Sequence, residues 1–62
     1  MKNEKLKQAI KEAKLTQEKL GAKIGVTGQT INNAVNGRLP HENTRKAICK
    51  VLGKTLDELF NN

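Results

Sequence analysis

The sequence predicts an all-α fold: five short helices forming one domain over residues 1–62. Three observations carry this reading. Apolar residues recur at helical spacing rather than in alternation. Residues that start and stop helices punctuate the chain at short intervals. No run alternates over strand length, and Asn36-Gly37, the nearest approach to a hairpin dipeptide, is flanked by helical spacing.

Leu6, Ala9, Ile10 and Ala13 fall at i, i+3, i+4 and i+7, one face of a first helix. Asn3 can cap its start, and it should end near Lys14. Thr16 followed by Gln17 and Glu18 opens a second helix with an acid in its first turn. That helix runs to about Ile24, with Leu20 and Ile24 inward and Gly25 just past its end. Thr27 caps a third helix over 28–36 with Ile31, Ala34 and Val35 apolar, ended by Asn36-Gly37. Pro40 opens a turn. A fourth helix spans about Glu42 to Leu52, with Ala47, Ile48, Val51 and Leu52 inward and Gly53 beyond. Thr55 and Glu58 have capping-box spacing for a last helix holding Leu56, Leu59 and Phe60. Leu56 is expected in the core, with the role of Phe60 left open.

Composition bounds what such a domain can do. A chain of 62 residues has room for one small core and no deep catalytic cleft. There is no Ser for a hydrolase triad, and the single Cys49 has no His at a recognisable spacing. One cysteine allows neither an internal disulfide nor a cysteine-based zinc site, so no metal and no cofactor is expected, and a reducing compartment fits. Cys49 reads as a small buried hydrophobe. His41, beside Pro40, reads as a loop residue. No apolar stretch approaches the roughly 18 residues of a membrane span, and the start of the chain is not signal-peptide-like. One Phe cannot supply the stacking aromatics of single-strand or RNA-binding surfaces.

The charge points to a polyanion. The formal net charge is +6, and an excess of this sign on a small domain favours nucleic acid or an anionic surface. Its distribution says more. Residues 1–14 hold five Lys and two Glu, and residues 38–54 hold five cations against Glu42, while residues 24–37 hold no charge at all. A polar, uncharged island lies between basic flanks.

A helix-turn-helix pattern begins at Gln17 and runs through that island. From Gln17 onward, Leu20, Ile24, Val26, Ile31 and Ala34 are spaced to anchor two crossing helices, Gly21 stands where they approach most closely, and Gly25 occupies the turn. An α-helix fits the major groove of B-DNA, and a reading helix needs forked polar side chains on its outer face. Gln29 and Asn33 are the expected main base readers. Asn32 comes second because it can face a groove wall, and Thr30 can add methyl contact with thymine. Thr27, Asn36 and Arg38 flank the reading helix as phosphate contacts, followed by Asn43. Lys19 and Lys23 are further candidates, whereas the Lys of the first helix read as a solvated face.

Thr16-Gln17-Glu18-Lys19-Leu20, Ile24-Gly25-Val26-Thr27, Thr30-Ile31-Asn32, Asn36-Gly37, Leu52-Gly53 and Leu56-Asp57-Glu58-Leu59-Phe60 together resemble the Cro and lambda-repressor type of helix-turn-helix DNA-binding domain. The resemblance runs from Leu6 to Phe60. It implies a lambda-repressor-like bundle and a phosphate contact at Gln17. Shortness is similar to phage Cro-like repressors, as is the Ile31-Asn32-Asn33-Ala34-Val35 segment, where many members have Glu in place of Val35. The implied function is a cytoplasmic transcriptional repressor in a bacterial or phage-infected cell. It would bind double-stranded operator DNA, as a weak homodimer on a near-palindromic site. Four departures stand out. Lys14 occupies a position often held by Gly, and Gly21 one usually held by Ala. Gly28, at the first exposed recognition position, offers only its backbone amide. Arg45 stands where an apolar residue is expected. Two other readings stay open: an antitoxin-like or adaptor module using Leu56, Leu59 and Phe60 as its surface, and an architectural or excisionase-like DNA-binding protein.

Overall fold

The computed structural model describes residues 2–60. Five helices follow in order: α1 Glu4–Glu12, α2 Gln17–Ile24, α3 Gly28–Val35, α4 Glu42–Leu52 and α5 Leu56–Phe60. They fill a body of 26 × 20 × 19 Å. Helix α2 packs chiefly on α3 and also on α4; α1 packs on α3 and α5, and α4 on α5.

Each predicted N-cap of the first three helices is made. Asn3 Oδ1 accepts from the Leu6 amide at 3.0 Å, Thr16 Oγ1 from the Lys19 amide at 3.0 Å, and Thr27 Oγ1 from the Thr30 amide at 3.3 Å. The box at α5 is reciprocal. Thr55 N–H donates to Glu58 Oε1 at 3.0 Å, and Glu58 N–H donates to Thr55 Oγ1 at 3.1 Å. The Thr55 amide, and after it the Thr55 side chain, hold the Glu58 carboxyl below the ordinary carboxylate range. His41 takes the N-cap place of α4 without a side-chain cap bond.

The helix ends share one device. In α1, α2, α3 and α4 an amide two or three residues past the last helical residue bonds back to the carbonyl five residues earlier: Leu15 to Ile10, Val26 to Gly21, Arg38 to Asn33 and Lys54 to Cys49, all between 2.8 and 3.2 Å. Such a closure needs a positive φ one residue earlier. Gly25 (80°), Gly37 (99°) and Gly53 (68°) supply it. In α1 the residue is Lys14, at 59°. Helix α1 therefore stops at Glu12 rather than near Lys14. Ala13 lies beyond the last turn and is exposed instead of continuing the buried face.

The core is Leu6, Ala9, Ile10, Leu20, Ile31, Ala34, Val35, Ile48, Cys49 and Leu59, with Leu15, Ile24, Val26, Leu52 and Phe60 packed around it. Leu6, Leu20, Ile31 and Ile48 are wholly buried, and each such side chain contributes about 2 kcal/mol by leaving water. Among the described residues no polar or charged residue is buried. Burial raises the Cys49 thiol pKa, with a smaller push from the Glu58 charge.

Three expectations for the C-terminal half need correction. Val51 and Leu56 are each 37% exposed. In α4 the inward pair is Ile48 and Cys49, which turns Val51 to the rim and leaves Ala47 and Arg45 half-buried. In α5, a single turn long, Leu59 faces the core at 4% exposure and Phe60 packs beside it, while Leu56, at the first residue of the helix, is left at the rim. Leu56, Leu59 and Phe60 thus do not share one exposed face that could serve as a partner surface.

Asn3 does more than cap. Its N–H donates to the Val35 carbonyl at 2.7 Å, and its Nδ2 donates to the Leu59 carbonyl at 2.7 Å. One residue ties the start of α1 to the ends of α3 and α5.

A left-handed conformation costs a non-glycine residue about 1–2 kcal/mol. Lys14→Gly should therefore raise the unfolding free energy by about 1 kcal/mol, after allowance for the freer unfolded chain. Urea denaturation measures it, and a less stable variant would show that the Lys14 side chain outweighs its backbone strain.

Candidate nucleic-acid interface

The geometry of the central segment begins at Gly21. A Cβ placed there would lie 2.7 Å from the Val26 carbonyl oxygen and 2.9 Å from that of Thr27. Those are backbone atoms of the turn and cannot swing aside. The Gly21 carbonyl also accepts the Val26 amide at 2.8 Å. Helix α2 and the entry to α3 thus meet backbone to backbone. Gly28 makes a second close approach, since a Cβ there would stand 3.2 Å from Glu18 Cα. The first turn of α3 closes on the first turn of α2. Gly28, viewed in the sequence as a reading position without a side chain, is also a packing glycine.

Ile31, Ala34 and Val35 are buried and fix the inner side of α3. On the outer side Gln29, Asn32, Asn33 and Asn36 fall at i, i+3, i+4 and i+7, a single stripe of carboxamides. Gln29 and Asn36 are exposed, and Asn32 and Asn33 are half-buried. Gln29 Nε2 donates to Asn33 Oδ1 at 3.0 Å. The bond links the two main reader candidates and uses one amide group of each, so the Gln29 oxygen remains an acceptor and the Asn33 amino group a donor. Adenine presents the matching N7 acceptor and N6 donor in the major groove.

Thr30 lies off this stripe. Its hydroxyl is 3.3 Å from that of Thr27, on the flank toward the turn. Thr27 is exposed, and its oxygen is already engaged in capping α3.

The remaining phosphate candidates stand around the stripe. Gln17 is the half-buried first residue of α2. The α2 ladder begins with the Leu20 amide on the Thr16 carbonyl at 2.9 Å, so the Gln17 and Glu18 amides lie outside it. Such a helix start suits a phosphate oxygen. Arg38 is exposed just past α3, and its backbone is pinned to the last turn by its amide bond to Asn33 at 2.9 Å. Asn43 is exposed in the first turn of α4, beside Glu42, whose carboxylate pairs with Lys46 at 3.5 Å. Lys19 and Lys23 are exposed on α2.

Several contributors were not evident in the sequence. The clasp of Asn3 on Val35 needs the chain start to return to the end of α3, which no local pattern encodes. The Gln29–Asn33 bond did have a signal, since amides four apart on a helix are neighbours. Among the described residues no group of three His, Cys, Asp or Glu could hold a metal ion, and no helix is long and apolar enough to cross a membrane.

A family model described as helix-turn-helix matches residues 6–59. No curated protein and no solved structure matches the chain.

The crossing at Gly21 has a direct test. Alanine would gain about 1 kcal/mol of helix propensity but must push the turn away, at a cost of about 1–3 kcal/mol for overpacking. Gly21→Ala should therefore lower the thermal unfolding midpoint and weaken duplex binding together. A variant as stable as the parent would remove the close crossing from the account.

Proposed function

We infer the function from one premise: the chain belongs to the Cro and lambda-repressor type of helix-turn-helix family. A chain of this family is a sequence-specific DNA-binding regulator of transcription. The finer reading is a Cro-type repressor. It inserts α3 into the major groove of double-stranded operator DNA and reads bases with the carboxamide stripe.

The observation that carries this reading is the stripe itself. Four carboxamides line the outer side of a helix whose whole neighbourhood, residues 24–37, is uncharged, inside a protein of net charge +6. A carboxylate there would be repelled by phosphate, and a lysine would bind phosphate without reading sequence. Gln29 and Asn33 read bases, Asn32 assists along the groove wall, and Thr30 contributes methyl contact from the flank. Gln17, Thr27, Asn36, Arg38 and Asn43 hold phosphates and fix the depth of insertion.

The chain acts as a homodimer on a near-palindromic site. Two α3 helices then lie about 34 Å apart, one turn of the duplex. Among the described residues only Leu39, Val51 and Leu56 are exposed large hydrophobic side chains, which supports an association that is weak in solution and strengthened on DNA. Binding in this mode needs no cofactor.

The division of labour is measurable by fluorescence anisotropy on a bound duplex and its point variants. Gln29→Ala should lose about 1–3 kcal/mol of discrimination at one base position. Arg38→Ala should weaken binding to every sequence and reduce the slope of log affinity against log salt by about one. Equal parental affinity for the preferred and the scrambled duplex would defeat the reading.

A further inference from the structure

A groove of about 370 Å³ opens beside the end of α3, at the small end of the roughly 300–1,000 Å³ range of ligand clefts. It lies between the start of α1, the segment after α3 and the end of α5. Its floor is apolar: Ala34, Leu59 and Phe60, with Leu39 on one wall. Leu39 is 60% exposed, the most exposed large hydrophobic side chain among the described residues. Among the described residues three cations stand around that floor, Lys2, Lys5 and Arg38, against the carboxylate of Glu4. All four are exposed.

We propose that this groove docks an acidic, apolar peptide segment of another protein, and that such a segment competes with operator DNA. The floor and Leu39 offer apolar side chains a place out of water. The cations at its edge pair with carboxylates that flank those side chains. A phosphate backbone satisfies the cations but not the floor, which argues for a peptide and against a second stretch of nucleic acid. Competition follows from Arg38, which lines the groove and is also a phosphate contact in the function proposed above. Asn3 lines it too, and its backbone holds the end of α3 through Val35. An occupant therefore acts on the reading helix at a point where the helix is anchored. The competition rests on the proposed DNA-binding role; the docking does not.

The test uses a fluorescein-labelled, end-blocked peptide, Asp-Leu-Glu-Asp-Phe-Glu, titrated with the full chain in the absence of DNA. Anisotropy should report saturable binding. Replacing Leu and Phe of the peptide by Gln, at unchanged charge, should abolish it. Lys5→Glu and Leu39→Gln in the protein, both at exposed positions, should each weaken it about tenfold or more. Unlabelled duplex should then release the bound peptide. Absence of peptide binding, or equal binding of the Gln-substituted peptide, overturns the docking site. Peptide that stays bound on the protein–duplex complex overturns the competition alone. Sedimentation equilibrium supplies the alternative occupant: a dimer that Leu39→Gln converts to monomer would assign the groove to a second copy of the chain and overturn the proposal.

Discussion

The architecture depends on one contact without side chains. At Gly21 the backbone of α2 meets the carbonyl oxygens of Val26 and Thr27 at distances that exclude even a methyl group. Glycine in a helix costs about 1 kcal/mol against alanine, and the chain carries that cost at the crossing. What it obtains is an angle. With the turn drawn onto α2, Thr27 is placed to cap α3, and α3 leaves at a slope that buries Ile31, Ala34 and Val35. The carboxamide stripe faces outward because those three residues face inward. The orientation of the stripe is thus a packing result, set at the Gly21 contact and by the buried side of α3.

The rest of the molecule fixes the two ends of α3. At its start, Gly28 lets the helix close on Glu18. At its end, Gly37 and the Arg38–Asn33 bond terminate the last turn, and Asn3 donates to the Val35 carbonyl. A helix of eight residues is marginal alone in water; here both ends are tied to neighbours. Charge follows the same division. The uncharged island is the part proposed to approach base edges, and the cations lie outside it, where the proposed phosphate contacts and the groove beside α3 are found.

Most of the fold was legible in the sequence because it is written in local signals. Asn3, Thr16, Thr27 and the Thr55–Glu58 pair cap as their residue types and spacing require. Gly25, Gly37 and Gly53 close helix ends as glycine does. The misses have physical causes. Lys14 adopts a left-handed conformation that its side chain disfavours, so α1 ends earlier than its apolar spacing implies and Ala13 falls outside the buried face. Val51 and Leu56 follow the apolar spacing but sit where short helices run out of neighbours to cover them. The stripe on α3 was legible as residue types. The Gln29–Asn33 bond and the Thr27–Thr30 hydroxyl contact follow from helical spacing; the reach of Asn3 to Val35 and Leu59 depends on tertiary placement and is not legible in the sequence.

The central claim is that an uncharged row of carboxamides on α3 reads sequence while the surrounding cations supply affinity. Selection of bound duplexes from a fully random pool tests it most directly, because binding, half-site sequence and spacing are read together. The account requires enrichment of a two-fold related motif whose half-sites are centred about one helical turn apart and contain adenine at a fixed position. Recovery of bound DNA with no enriched motif would show that the protein holds the duplex by charge alone and would contradict the account.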